Sequence, residues 1–200
     1  MNQLRLWSLI FFFIAGDAAF ASQYQVGFKA SHESIGAEVA YITDSGYGSI
    51  ATGMGVLLNN DEYRMLKGRL MMTGDPFRPG LCYGIGFEPV LGGVEHPKEN
   101  RHDGDLFAFP FLFQASFDLF TTDLKVPMDV ILEASFAPDP LTSHASRYYG
   151  GVKAAVEYRL LTNAGVTLEY RYMQARFEHS DDDTWRFSEH LYLIGYVLSF

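Results

Sequence analysis

The chain has 200 residues, one cysteine, 15 basic and 24 acidic side chains, and a formal net charge of −9 at pH 7; 16% of its residues are aromatic. A bundle of membrane helices would be far more apolar than its mean hydropathy of −0.01, and a disordered chain would be poor in aromatic residues. A nucleic-acid-binding domain would usually be basic, and one cysteine excludes an internal disulfide framework or a multi-cysteine zinc site.

The first 21 residues have the pattern of a secretory signal peptide. Arg5 gives a positive start, residues 6–15 form an apolar run, and Ala19-Phe20-Ala21 is a small-residue cleavage site. The apolar run is too short to span a membrane comfortably as a helix. We therefore expect residues 1–21 to be removed before Ser22 and residues 22–200 to form one domain.

The rest of the chain alternates between apolar and polar residues with a period of two, interrupted by turn residues. Most of these segments exceed the about five or six residues of a soluble strand and suit the about 9–11 residues of a tilted membrane strand. The pattern predicts an all-β fold, a transmembrane antiparallel up-and-down β-barrel of about ten strands, with eight as the alternative count. The predicted strands are 24–30, 35–43, 48–58, 63–72, 80–89, 106–119, 128–137, 148–160, 165–177 and 187–200.

One face of each predicted strand is apolar or aromatic, and the other is charged or small. A soluble periplasmic barrel that binds apolar ligands would turn the apolar face inward, whereas an outer-membrane barrel turns it toward lipid. The last strand favours the membrane, because an alternating apolar series ends there on an aromatic residue. This series resembles the assembly signal of outer-membrane barrels and consists of Tyr192, Ile194, Tyr196, Leu198 and Phe200.

Tyrosines near the strand ends also favour an outer-membrane barrel, because membrane barrels carry aromatic girdles at both interfaces. The tyrosines are Tyr41, Tyr63, Tyr83, Tyr148, Tyr172 and Tyr192. In the second half of the chain the connections predicted to face outward, such as 90–105, are also longer than the intervening turns.

Nearly all charged side chains of the predicted strands fall on the inward face, with Arg64 and Arg176 as the exceptions. A narrow barrel with balanced internal charges tends to be filled by ion pairs, although the same residues could line a selective pore. Six of them lie on three consecutive strands and are predicted to form a lumen charge network. They are Glu133, Lys153, Glu157, Arg159, Glu169 and Arg171.

Most of the acidic surplus falls in the connections predicted to face outward. The expected partners are therefore outer-membrane lipid and lipopolysaccharide, and divalent cations could mediate between the acidic connections and phosphates. Residues 181–183 form either such a bridge or a solvated acidic turn. The assembly machinery of the outer membrane is a further expected partner, and nucleic acid is not. The sequence carries no metal signature and no cofactor motif, and we expect neither a metal nor a cofactor.

A lipid A-modifying barrel enzyme is the alternative enzymatic hypothesis. His144 and Ser146 have the two-residue spacing of outer-membrane lipid A deacylases, but the asparagine-containing context usual in those enzymes is missing. The sequence therefore favours a protein without catalytic residues.

The stretch from Glu133 to Phe200 resembles the YfaZ family of outer-membrane proteins. The resemblance rests on five pieces in the right order, which are residues 137–141, 148–152, 156–161, 166–172 and 195–200. It implies a porin-like outer-membrane β-barrel of a Gram-negative bacterium, with no established catalytic residues. The expected function is that of a narrow solute passage or a structural barrel with a charged lumen.

Overall fold

A computed structural model describes residues 22–45, 48–59, 62–78, 80–95, 103–143, 145–180 and 183–200. The predicted signal peptide lies outside these residues and stays a prediction. Within them the fold is almost entirely antiparallel β, with two short 3₁₀ helices at Leu119–Thr121 and Asp139–Leu141. No helix in the described part of the chain has the length and apolar character that crossing a membrane requires.

The strands are long and follow one another up and down around the barrel. Their bounds are β1 Ser22–Ala30, β2 Ser34–Asp44, β3 Ser49–Asn59, β4 Tyr63–Arg78, β5 Leu81–Phe87, β6 Val90–Val94, β7 Gly104–Ala108, β8 Phe111–Asp118, β9 Met128–Ala137, β10 Thr142–Ser143, β11 Ser146–Leu161, β12 Ala164–Ser180 and β13 Asp183–Ser199.

Ten of these strands form a closed ring in the order β1-β2-β3-β4-β5-β8-β9-β11-β12-β13, and β13 pairs with β1. Reciprocal backbone bonds join Tyr24 and Phe200, at 3.0 Å and 2.8 Å. The ten-strand prediction is confirmed, and the eight-strand alternative is wrong. We call the end of the barrel with Ser22 and Phe200 the terminal end and the opposite end the loop end.

Two prolines interrupt the walls that contain the fifth and sixth predicted strands, since Pro89 is the last residue of predicted strand 80–89 and Pro110 divides predicted strand 106–119. Pro89 separates β5 from β6, and Pro110 separates β7 from β8. Proline lacks the N–H group that a strand ladder needs, but both carbonyls still accept bonds. The Pro89 carbonyl accepts from Gly68 at 2.7 Å, and the Pro110 carbonyl accepts from Glu88 at 3.0 Å. Each pair of segments therefore continues along the same wall.

The connections at the loop end are shorter than the sequence predicts. The strands β6 and β7 pair with each other and extend into the predicted loop 90–105, where Val90 and Val94 fill the interior. Likewise β12 and β13 pair almost to their tips, past the predicted limits 177 and 187. Apolar inward residues beyond the predicted ends make these extensions stable.

The outer wall of the barrel is apolar and exposed on all ten strands of the ring, as at Ile85, Phe113, Leu168 and Ile194. Inward positions are small, charged or tightly packed. Of the predicted girdle tyrosines, Tyr63 is the exception, because it points into the lumen and is 2% exposed. The strand β4 begins at Tyr63 and places it on the same face as the buried Met65.

Candidate functional site

Nine charged side chains meet across the middle of the lumen, where inward positions of β1, β2, β4, β9, β11 and β12 face one another together with Glu88. We call this set the ion-pair layer. It contains five basic and four acidic residues, which are Lys29, Lys67, Arg69, Lys153, Arg171, Glu38, Glu88, Glu133 and Glu169.

Glu133 is the centre of one half of the layer. It is 6% exposed, and its two oxygens take different cations. The Oε1 atom lies 2.8 Å from Nζ of Lys153 on the neighbouring strand, and Oε2 accepts a bond of 2.7 Å from Arg69 across the lumen. Buried charges are stable only when paired. Glu133 therefore ties β4 to β9 and β11.

Glu169 is the centre of the other half. It accepts a bond of 2.8 Å from Nζ of Lys29, and Nη2 of Arg171 lies 2.6 Å from its second oxygen. Lys29 also donates to Glu38 at 2.8 Å. The close approach explains Gly27, since a Cβ there would lie 2.8 Å from Cγ of Glu38. This half joins β1, β2 and β12.

Lys67 connects the layer to the apolar part of the lumen. It donates to Oε1 of Glu88 at 3.3 Å and to the hydroxyl of Tyr149 at 2.9 Å. Tyr149 is 1% exposed and packs among apolar side chains. The hydroxyl gives a desolvated ammonium a second partner, which lowers the cost of burying it.

Two of the six predicted network residues lie outside the layer. Arg159 is further toward the terminal end, where its guanidinium contacts Asp118 and lies 3.4 Å from Asp129. Glu157 forms no ion pair within the described part of the chain. Both positions are near the end of β11, four and six residues beyond Lys153 toward the terminal end. Of the six predicted residues, the structure brings Glu133, Lys153, Glu169 and Arg171 together with other charges in the layer.

The interior of the loop end is apolar, which the sequence analysis missed. We call this cluster the apolar seal, and its buried members are Leu57, Tyr63, Met65, Val90, Val94, Leu106, Ala108, Ala137, Tyr149, Met173, Ala175, Phe177, Phe187, Leu191 and Leu193. Its signal in the sequence is a run that is apolar on both faces, as in residues 191–194.

Aromatic packing gives the apolar seal its shape. Phe177 is fully buried and stacks on Trp185 at 4.5 Å between ring centroids, while Phe187 meets Tyr63 edge to face at 5.6 Å. The ring of Phe177 presses against Gly104, where a Cβ would lie 2.7 Å from it. Side chains therefore fill the lumen at this end.

Little space remains inside the ion-pair layer. One cavity of about 100 Å³ is lined by Lys29, Glu38, Lys67, Arg69 and Arg171, and thus by both halves of the layer. A second cavity, near Glu133 and Tyr149, has about 20 Å³. One water needs roughly 10–15 Å³ of such space. The larger cavity therefore has room for several waters but not for a sizeable solute.

The predicted assembly-signal residues all face outward. Tyr192, Ile194, Tyr196, Leu198 and Phe200 are between 38% and 74% exposed. Inward Leu191, Leu193 and Val197 alternate with them. Their role in assembly stays a prediction.

The residues considered for a lipid A-modifying enzyme and for divalent-cation binding are only partly described by the structure. His144 and residues 181–182 lie outside the ranges that the structure describes. The hydroxyl of Ser146 donates to the carbonyl of Phe107 at 3.0 Å, and the residue is 1% exposed. No group of three or more His, Cys, Asp or Glu side chains that could hold a metal ion occurs in the described ranges.

Comparisons with known proteins do not identify a family for this chain. No family model matches the chain, and no curated protein matches it. A chain solved in "Unveiling the Mechanism Behind the in-meso Crystallization of Membrane Proteins" is similar to this one with a TM-score of 0.41 and 11% identity, over 90% of this chain and 83% of that chain. Similarity of this degree carries no argument about function. The resemblance to the YfaZ family therefore stays a prediction.

Proposed function

We propose that this chain is an outer-membrane β-barrel of porin-like architecture whose charged lumen is closed by its own side chains. It serves in this form as a structural barrel in the membrane of a Gram-negative bacterium and not as a solute passage. The YfaZ family is its proposed family, without catalytic residues. Outer-membrane lipid, lipopolysaccharide and the assembly machinery are its proposed partners.

The observation that supports this proposal is the inverted distribution of polarity. Leu168 is 60% exposed on the outer wall, whereas its chain neighbour Glu169 is 3% exposed inside. In a soluble barrel both positions would be destabilising, because exposing apolar surface to water and removing a charge from water are both unfavourable. In lipid the same arrangement is favourable.

Cell fractionation tests the location directly. We expect the chain in the outer-membrane fraction, resistant to extraction by carbonate or urea. Recovery in the soluble periplasm would overturn the proposal and favour a periplasmic barrel.

A charge placed on the outer wall tests the membrane environment in the purified protein. We expect Leu168→Arg to destabilise the barrel by about 2–4 kcal/mol in lipid vesicles, because the lipid-facing wall excludes charge near the bilayer midplane. Thr184→Arg is the matched control, since Thr184 is exposed beyond the apolar belt and should be nearly neutral. Equal effects in urea titrations would contradict a lipid-facing wall at Leu168.

A further inference from the structure

Two arginines face each other on the outer wall at the loop end. Arg176 on β12 and Arg186 on β13 are directly paired across the two strands, and both are exposed. They alternate with the inward residues Phe177 and Phe187. Directly opposed residues have Cβ atoms roughly 4.5–5.5 Å apart, and like charges there are destabilising.

Neither guanidinium has a compensating carboxylate among the described residues. The nearby Arg147 differs, since it lies 3.6 Å from Asp139 and 3.5 Å from Glu178. Arg176 and Arg186 therefore place two exposed cations side by side, next to an arginine that is already paired. An anion that binds both arginines would remove the repulsion.

The wall next to the two arginines changes in polarity along the strands. The next row toward the terminal end pairs Gln174 with Ser188, and the row after that pairs Tyr172 with His190, whose rings are 4.7 Å apart. The Tyr172 hydroxyl donates to Gln174 at 3.0 Å.

Beyond those rows the same wall is apolar. Tyr170 pairs with Tyr192, and Leu168 pairs with the exposed Ile194. Apolar, aromatic, amide and cationic rows thus follow one another, which is the order of environments from the acyl chains to the head groups of a lipid leaflet.

We propose that Arg176 and Arg186 form a binding site for a phosphate group of an acylated glycolipid in the outer leaflet. This inference rests on the proposed function and on the predicted outward direction of the loop-end connections, which together put the loop end in that leaflet. Guanidinium groups bind phosphate oxygens through charge-assisted and often bidentate hydrogen bonds. The acyl chains of the same molecule lie along the apolar wall at Leu168 and Ile194. The site explains why two like charges face each other.

The test titrates the folded, full-length barrel in a neutral detergent with purified bisphosphorylated lipid A. Bound copies are counted by native mass spectrometry, and the thermal midpoint is followed. The variants are wild type, R176Q with R186Q, and R64Q as the matched control, because Arg64 is also exposed at the loop end but lies on β4. Dephosphorylated lipid A and inorganic phosphate are the comparison ligands.

We expect the wild type and R64Q to bind lipid A with equal affinity and the double variant to bind about tenfold more weakly. Dephosphorylated lipid A should bind the wild type as weakly as lipid A binds the double variant. Free phosphate should not raise the midpoint, because it lacks the acyl chains. Without lipid, the double variant should be as stable as the wild type or more so, since repulsion is removed.

Equal binding by the wild type and the double variant would overturn the site, and so would tight binding of dephosphorylated lipid A. Midpoints that rise equally with inorganic phosphate would overturn the lipid assignment. If the double variant does not fold, R186Q alone decides, with an expected loss of several-fold. The outer-membrane location fails separately, by recovery of the chain in the soluble periplasm.

Discussion

The two halves of the lumen are closed in opposite ways. In the ion-pair layer, long charged side chains from six strands meet across the barrel, and their carboxylates each take one or two cations. In the apolar seal, aromatic and aliphatic side chains exclude water at the loop end. Tyr149 is shared, since its ring packs in the seal and its hydroxyl accepts from Lys67.

The difference shows how the inward face of one strand can contribute to both closures. The inward series of β12 runs from Thr167, Glu169 and Arg171 to Met173 and then to Ala175 and Phe177. Polar closure needs exact partners, because an unpaired buried charge is costly. Apolar closure needs volume, because a void costs contacts. The two closures should therefore respond differently to substitution.

Opening both closures should have the largest effect. We expect no current through the wild type in a planar bilayer, nor through Phe177→Ala with Phe187→Ala, nor through Arg69→Ala with Glu133→Ala, since each pair leaves the other closure in place. All four substitutions together should give channel steps. Heat-dependent mobility in gels checks that each variant is folded, and current through the wild type would contradict a closed lumen.

Removing one carboxylate from the ion-pair layer should have the second-largest effect. Glu133→Gln removes the carboxylate that pairs with Lys153 and the nearer of the two that pair with Arg69, and we expect a loss of about 3–5 kcal/mol in the free energy of unfolding. Glu157→Gln, which touches no cation of the layer in the described residues, should cost much less. Urea titration of the folded barrel measures both, and equal losses would show that pairing is unimportant.

Removing volume from the apolar seal should cost slightly less. Phe177→Ala leaves a cavity beside Trp185 and Gly104, and we expect a loss of about 3 kcal/mol. Phe177→Leu keeps most of the volume and should cost less than about 1.5 kcal/mol. A similar cost for both variants would contradict closure by packing.

The smallest effect should come from the ion pairs at the terminal end. Arg159 and its partners Asp118 and Asp129 are each about one third exposed, so solvent screens them. We expect Arg159→Gln to cost about 0–1 kcal/mol in the same titration. A loss as large as that of Glu133→Gln would contradict the expectation that ion pairs at the terminal end are weaker than those in the ion-pair layer.

The fold could be predicted because each barrel strand repeats one simple signal. Alternation such as Val166, Leu168 and Tyr170 against Thr167 and Glu169 fixes both the strand and its face, since a shift by one residue would reverse every side chain. The inward direction of Glu133, Lys153, Glu169 and Arg171 follows from that alternation.

The pairing partners could not be predicted in the same way. Which cation reaches Glu133 depends on the diameter and tilt of the closed ring, and Arg69 is far away in sequence. Arg159 and Lys153 both point inward from β11 and differ only in their position along the barrel axis. The apolar seal was missed because Phe177 and Phe187 lie at or beyond the predicted strand ends, where alternation gives no guide to depth.

The seam between β1 and β13 has a consequence for folding. The ring closes only when the first strand meets the last, through pairs such as Phe28 with Tyr196, and contacts so distant in sequence form slowly. Until then two unpaired edges are available to other chains. Since Tyr24 and Phe200 are bonded to each other at the seam, a circular permutant that joins residue 200 to residue 22 and begins between Ser45 and Gly48 should keep every strand neighbour while moving the last closing step to β2 and β3.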